Sequence, residues 1–195
     1  MSYIQTGIQQ PGIVELLFYK GPTGKALSNL ADALLHGSPG FSAGEREMVA
    51  AYVSSLNQCE FCCESHGAVA NIHLGGATEI ISKVKADPDS APVSPKMKTL
   101  LKIAGLVQKS GREVQPAHIE AARREGATDE EIHDTVLIAA AFCMYNRYVD
   151  GLGTRLPGKQ DEYHTMGLRL AKKGYRYPPL FLRKFVVRMM NRKAA

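Results

Sequence analysis

Three of the four cysteines fall within five positions of one stretch, Asn57-Gln58-Cys59-Glu60-Phe61-Cys62-Cys63-Glu64-Ser65-His66, and a histidine closes it. A helix opening near Cys59 makes Cys59 and Cys62 an i,i+3 pair and Cys62 and His66 an i,i+4 pair, so the three side chains share one face. Cys59 then lies in the first turn, where unpaired amide N–H groups and the helix dipole favour a thiolate. The thiolate is the form that attacks disulfides and peroxides, and such surroundings draw a thiol below its free value of about 8.5. A neighbouring imidazole takes up the proton. These are the requirements of a redox dithiol.

Two helices must position this set. Ser42-Ala43-Gly44-Glu45 is a capping box, with Ser42 as N-cap and Glu45 three residues on. It opens a helix to about Leu56, with Val49, Val53 and Leu56 inward. Asn57-Gln58 makes the turn, and the cysteine helix runs to about His73 before Gly75-Gly76 stops it. In such a hairpin Glu47, about ten residues before the turn, meets the partner helix near Ala68, within one turn of His66. Glu47 is then placed to orient or charge-balance the imidazole. A carboxylate–imidazole–thiol chain is the expectation, an activated nucleophile with an oriented base.

The rest of the chain reads as more helix. Residues 1–12 form a polar arm ending at Pro11-Gly12. Ile13 to Tyr19 is a short helix or strand, and Gly21-Pro22 breaks it. Lys25 to Leu35 carries Leu27, Leu30, Ala31, Leu34 and Leu35 at helical spacing, and Gly37-Ser38-Pro39-Gly40 ends it. Ala77 to Val84 is short, and Asp87 to Pro92 is a proline-bearing loop, the best internal boundary. Ser94-Pro95 is an N-cap with proline at N1, followed by Met97, Leu100, Leu101, Ala104 and Val107 on one side. Pro116 to Arg124 is helical. Thr128 to Glu131 is a second capping box, opening the longest helix, to about Val149. That helix is apolar almost all round in its middle, which puts it at the centre of the core. Glu162 to Lys173 and Leu180 to Asn191 are two final helices. Few stretches alternate with period two, so the fold class is all-α, a multi-helix bundle forming a single domain over residues 1–195, with a C-terminal helical extension from about 160.

Composition narrows the function classes. With 45% apolar and 22% charged residues the 195-residue chain is an ordinary globular protein with a real core. No run of about 20 apolar residues exists, so no membrane span is expected. Met1 to Thr6 lacks a basic start and an apolar segment, so no secretory signal and a cytoplasmic, reducing location are expected. A close cysteine pair there is catalytic or metal-binding rather than a structural staple. The net charge of +5 gathers near the C-terminus, in Arg169, Lys172, Lys173, Arg176, Arg183, Lys184, Arg188, Arg192 and Lys193. Basic residues interleaved with stacking aromatics are absent, so this reads as a solvated tail and no nucleic-acid partner is expected. Leu180, Phe181, Phe185, Val186 and Met189 make an apolar stripe on a basic helix, suited to packing on the body or on another subunit more than to a membrane surface.

Glu47, Cys59, Cys62 and His66, a glutamate twelve residues before a CxxC and a histidine four after it, resemble the pattern of the alkylhydroperoxidase D (AhpD) family within the carboxymuconolactone decarboxylase-like superfamily. Glu45 to Ala50 followed by Ser54 to Cys62 is similar to that family's helix-turn-helix. Phe142 to Gly153 resembles the peroxidase-related branch. The likeness is strongest over residues 42–76 and extends loosely to about residue 175. The resemblance implies an AhpD-like bundle with the CxxC at the N-terminus of a helix, and an alkylhydroperoxidase-like thiol peroxidase or disulfide oxidoreductase. It implies Cys62 as the peroxidatic cysteine, His66 as its proton partner, and Cys59 as the resolving cysteine, nearer solvent and open to the reductant. Cofactors are none beyond a reversible Cys59–Cys62 disulfide. The implied partners are a hydroperoxide substrate, a dithiol donor such as a dihydrolipoyl or thioredoxin-like protein, and further copies in a dimer, trimer or hexamer.

Other readings compete. A zinc site from Cys59, Cys62, Cys63 and His66 lacks the second, distant ligand pair of structural zinc. A non-redox lyase of the decarboxylase type is the alternative within the resemblance, but those enzymes generally lack the CxxC. An interaction protein with incidental cysteines is a third. A thioredoxin-type domain is disfavoured because its CxxC follows a strand. Cys63 points about 100° away from Cys62 and reads as packing. Cys143 reads as a small core hydrophobe. Asn146, Arg147 and Asp150 read as a polar helix end with a local Arg–Asp pair. His36, His73, His118, His133 and His164 show no ligand spacing, and no metal residues are expected.

Overall fold

The computed structural model describes residues 2–37, 40–76 and 78–194. Among them are ten α-helices, two short 3-10 turns and no strand. The chain order is α1 (Ile13–Tyr19), α2 (Gly21–Leu35), α3 (Ala43–Leu56), α4 (Glu60–His73), α5 (Thr78–Ala86), α6 (Pro95–Lys109), α7 (Pro116–Arg124), α8 (Asp129–Gly151), α9 (Gln160–Lys173) and α10 (Arg183–Ala194). The all-α fold class expected from the sequence is the one observed. Ser38, Pro39 and Ala77, which the sequence reading placed at the end of α2 and the start of α5, lie outside the described residues.

The capping box at Ser42 forms. The Glu45 N–H donates to Ser42 Oγ at 3.2 Å and the Ser42 N–H donates to Glu45 Oε2 at 2.9 Å. Such a cap contributes about 1 kcal/mol to the helix it opens. α3 is the helix walled in on all sides, by α2, α4, α5, α6 and α8. Its Met48, Val49 and Val53 are fully buried, each adding about 1.5–3 kcal/mol. Two charged residues are buried with them, Arg46 and Glu47. Arg46 is held by Asp134 Oδ2 at 2.7 Å and by the Leu34 carbonyl at 3.1 Å, above the Phe41 ring. A buried guanidinium without such partners would cost several kcal/mol.

Several expectations change. α8, the longest helix, is not the centre of the core. It buries Ile138, Ala139, Phe142 and Tyr145 but leaves Leu137 and Met144 exposed, so its apolar middle is two-sided and α3 takes the centre. Leu56 turns outward. Gly21-Pro22 does not merely break a helix, because Pro22 sits in the first turn of α2 directly after α1. The residues before α10 form a 3-10 turn, Leu180–Leu182. Val186 of α10 packs with Ile8, Phe18 and Tyr177, while Phe181 in the preceding turn and Phe185 on α10 remain 83% and 62% exposed. Arg147 donates to the Cys143 carbonyl at 2.9 Å and forms no ion pair with Asp150 among the described contacts.

The α3–α4 turn is locked from outside. Asn57 Nδ2 donates to Asn146 Oδ1 at 2.8 Å, Gln108 Nε2 donates to Asn57 Oδ1 at 2.9 Å, and Asn146 Nδ2 donates to Ser54 Oγ at 3.0 Å. Asn146 is thus a structural clamp from α8. Gln58 has φ +58°, the one non-glycine residue at positive φ among those described. That left-handed residue swings the chain directly into Cys59. On its far side α4 packs against α9, where Gly167 allows the close approach: a Cβ there would lie 3.0 Å from Ile72 Cδ1 and 3.1 Å from Ala68 Cβ.

Candidate active site

Cys59 is the N-cap of α4 rather than a member of its first turn, and Cys62 is the helix's third residue. Both sulfurs are buried, with Phe61, Val149 and Tyr163 around them and Ile13 and Met166 packed outside. Cys59 is 0% exposed and Cys62 2%. The expectation that Cys59 is the more solvent-open of the two is therefore corrected. Tyr163 and Met166 of α9, Val149 of α8 and Ile13 at the start of α1 cover it. The Cys59 thiol is pushed up, first by its hydrogen bond to the Cys62 sulfur and then by burial and by negative charge on Cys62. Two thiols sharing one buried place oppose each other's ionisation.

One turn on, His66 shares a cavity with Cys62. Its Nδ1 lies 2.7 Å from Oε2 of Glu47, which is completely buried on α3. The hairpin therefore brings together all four residues singled out in the sequence. A carboxylate can only accept, so the pair fixes the proton on Nδ1 in the neutral ring and leaves Nε2 as the nitrogen for chemistry. Phe142 stands edge-on to the imidazole with centroids 4.6 Å apart, and Tyr175 stacks on it at 5.6 Å.

Tyr175 escaped the sequence reading. Its hydroxyl donates to Glu47 Oε1 at 2.7 Å and lies 3.2 Å from His66 Nδ1. Burial, then the Glu47 charge, push its phenol well above the ordinary value of 10.0, so it stays a donor. Its backbone N–H donates to Asp32 Oδ1 at 2.9 Å. Gly174 precedes it at φ +69°, where a Cβ would collide with that same Asp32 oxygen. The signal that could have found it is weak: a glycine at a helix end, then Tyr175-Arg176-Tyr177 before Pro178-Pro179.

Cys63 faces elsewhere, beside Glu64 and Lys85, and burial raises its thiol. Cys143 is buried and takes only weak contacts, from Asn57 Nδ2 at 3.6 Å and toward the Gln108 carbonyl at 4.0 Å. Among the described residues no three His, Cys, Asp or Glu side chains converge as metal ligands. Nor is any described helix long and apolar enough to cross a membrane. The cavity in front of Cys62 and His66 measures about 450 Å³ and is walled by α1, α2, α9, α10 and Phe142 of α8.

The model of the carboxymuconolactone decarboxylase family matches the chain twice, over residues 22–86 and 86–153. The two matches meet at the loop where the sequence placed its best internal boundary. The first contains the dithiol, and the second has Cys143 as its one cysteine. Two solved structures are similar. One is an alkylhydroperoxidase AhpD core, described as an uncharacterized peroxidase-related protein from Ralstonia eutropha JMP134. It shares 32% identity over 80% of each chain, with a TM-score of 0.71. The other is an uncharacterized peroxidase-related protein from Silicibacter sp. TM1040, with 26% identity over 79% of this chain and 78% of that one, and a TM-score of 0.72. No curated protein matches.

Proposed function

The chain belongs to the carboxymuconolactone decarboxylase family, and from that premise we propose that it is a thiol-dependent peroxidase that turns over through a Cys59–Cys62 disulfide. The observation that carries the reading is a buried dithiol at a helix N-terminus whose Cys62 shares a cavity with a histidine oriented by a buried carboxylate. The peroxidase-related descriptions of the similar structures support it.

His66 takes the Cys62 proton, and Glu47 stabilises the charge that develops on the imidazole. Helix-terminal amides stabilise the thiolate. Its sulfur attacks the terminal oxygen of the hydroperoxide. The O–O bond breaks, an S–O bond forms, and the departing alkoxide takes the proton back from His66 to leave as an alcohol. Cys62 is now a sulfenic acid. Cys59 attacks its sulfur, the disulfide closes, and water leaves with the Cys59 proton. One hydroperoxide and two thiols have become one alcohol, one water and one disulfide. A dithiol donor, a dihydrolipoyl or thioredoxin-like protein in this proposal, restores the pair by exchange. The buried sulfurs require that donor to reach the disulfide through an opening of the covering segments.

Two further assignments belong to this reading. The protein works as a homo-oligomer in the cytoplasm, with exposed Phe181, Phe185 and Met189 available for subunit contacts. Light scattering at micromolar concentration that returns the mass of one chain contradicts the assembly. The chemistry is tested by thiol titration of reduced protein before and after one equivalent of cumene hydroperoxide. Two of the four thiols should disappear with release of one equivalent of alcohol. An unchanged count of four, with the hydroperoxide intact, removes the peroxidase reading and leaves the lyase activity the family name suggests.

A further inference from the structure

We infer that the cavity in front of Cys62 binds a long-chain organic carboxylate, with its chain among the apolar walls and its headgroup on Arg169 and Lys173. The inference rests on the peroxidase reading for its chemistry: the substrate is then the hydroperoxide of such an acid, and the product is the hydroxy acid with its carboxylate untouched.

Size is the first argument. Hydrogen peroxide needs roughly the volume of two waters, about 60 Å³. The cavity, at about 450 Å³, falls within the range of about 300–1,000 Å³ that holds larger organic ligands. Its walls are the second argument. Leu17, Phe18, Leu27, Phe142, Val186 and Met190 offer no hydrogen bonds. Of the lining hydroxyls, those of Tyr145 and Tyr175 are already committed, to the Leu27 carbonyl at 2.8 Å and to Glu47 at 2.7 Å, and Ser28, Ser65 and Tyr177 add a few scattered polar atoms to an otherwise apolar wall. Such a surface gains by burying a hydrocarbon chain.

Charge is the third. Met166, Arg169, Leu170 and Lys173 follow each other at i, i+3, i+4 and i+7 on α9, so they share one face. All four line the cavity. Met166 and Leu170 are half-buried, while Arg169 and Lys173 are exposed, with stems along the wall and charged heads free to stand at the rim. Neither has an ion-pair partner among the described residues, whereas the third lining cation, Arg176, lies 3.5 Å from Asp32. No Asp or Glu lines the cavity. From Tyr163 to the end the chain carries nine Lys or Arg and no acid. An apolar chamber with a reactive sulfur inside and two uncompensated cations at its rim is complementary to an amphipathic anion, not to a neutral small peroxide.

The test has a binding arm and a kinetic arm, both on the full reduced chain. In the first, dodecanoate and 1-dodecanol are titrated calorimetrically below their aggregation concentrations. A charge-assisted contact should favour the acid by about 10- to 100-fold. Arg169→Glu/Lys173→Glu should bring that ratio to about one, and Arg169→Ala/Lys173→Ala should bring it most of the way. In the second, the rate of thiol loss is compared for 13-hydroperoxyoctadecadienoic acid, its methyl ester and tert-butyl hydroperoxide, with the acid expected to lead its ester by a similar factor. Equal binding of acid and alcohol, no binding of either, or a preference that survives both double variants overturns the inference. If tert-butyl hydroperoxide consumes the thiols while dodecanoate does not bind, the inference fails and the peroxidase reading stands. If dodecanoate binds through Arg169 and Lys173 while no hydroperoxide consumes thiol, the anion site stands and the peroxidase reading fails.

Discussion

Tyr175 Oη donates a 2.7 Å hydrogen bond to Oε1 of Glu47, the carboxylate oxygen that His66 leaves unused. A completely buried carboxylate is thereby satisfied on both oxygens, once by the imidazole it orients and once by a phenol from the segment after α9. Tyr175→Phe keeps the ring stacked on His66 but strips one partner from Glu47. The expected loss is about 1–3 kcal/mol of stability, read from the urea midpoint, because a buried acceptor is left unsatisfied. Alkylation of Cys62 should slow as well, because Glu47 gains freedom to turn away from His66.

Replacing the proton path itself has a larger effect. His66→Ala removes the base, and Glu47→Gln keeps its shape without its charge. With Cys59, Cys63 and Cys143 changed to Ser so that one thiol reports, both should slow iodoacetamide alkylation at neutral pH by about 100- to 10,000-fold if the base is fully used. The rate profile should move to higher pH in both. An unmoved profile with intact helicity makes the two residues scaffold.

The turn before Cys59 offers a stability test. Asn146→Ala should cost about 1–3 kcal/mol, because Asn57 and Ser54 lose a buried partner. Gln58→Gly relieves a left-handed residue at the expense of backbone entropy and should change stability by less than about 1 kcal/mol. Gln58→Val, branched at Cβ, should lose about 1–2 kcal/mol. Equal midpoints for all three would mean that the turn is not under the constraint described.

Alkaline pH should destabilise the fold. Burial pushes Tyr145 and Tyr163 up to about 12, and Tyr175 is raised well above 10.0. A phenol that ionises later when folded keeps a proton that the unfolded chain has released. Its contribution is complete below about pH 10 and is lost as pH rises toward 12, with each phenol adding at most about 1.4 kcal/mol per pH unit before solvent screening. Urea midpoints at pH 9, 10 and 11 should fall, and Tyr145→Phe should flatten the fall.

Much of the α3–α4 hairpin was legible because its determinants are local. The Ser42 capping box, the Asn57-Gln58 turn and the cysteine spacing fix both helices, and counting from the turn brings Glu47 to the level of His66. Tyr175 was not legible because it lies 128 residues from Glu47 and its place depends on Gly174 and Asp32. The burial of Cys59 was missed for the same reason, since the cover comes from α9 and the segment around Ile13. The centre of the core was misassigned to α8 because hydropathy counts Arg46 and Glu47 as surface. Only tertiary partners such as Asp134, His66 and Tyr175 allow α3 to bury them.

The most direct measurement traps the sulfur that meets the peroxide. Cys59→Ser protein, reduced and then given one equivalent of cumene hydroperoxide with dimedone present, is digested and mapped by mass spectrometry. Without its partner thiol, Cys62 should carry the dimedone adduct of a sulfenic acid, and the label should fall sharply in the His66→Ala background. A label on Cys63 or Cys143 with Cys62 unmodified would contradict the assignment of Cys62 as the attacking thiol.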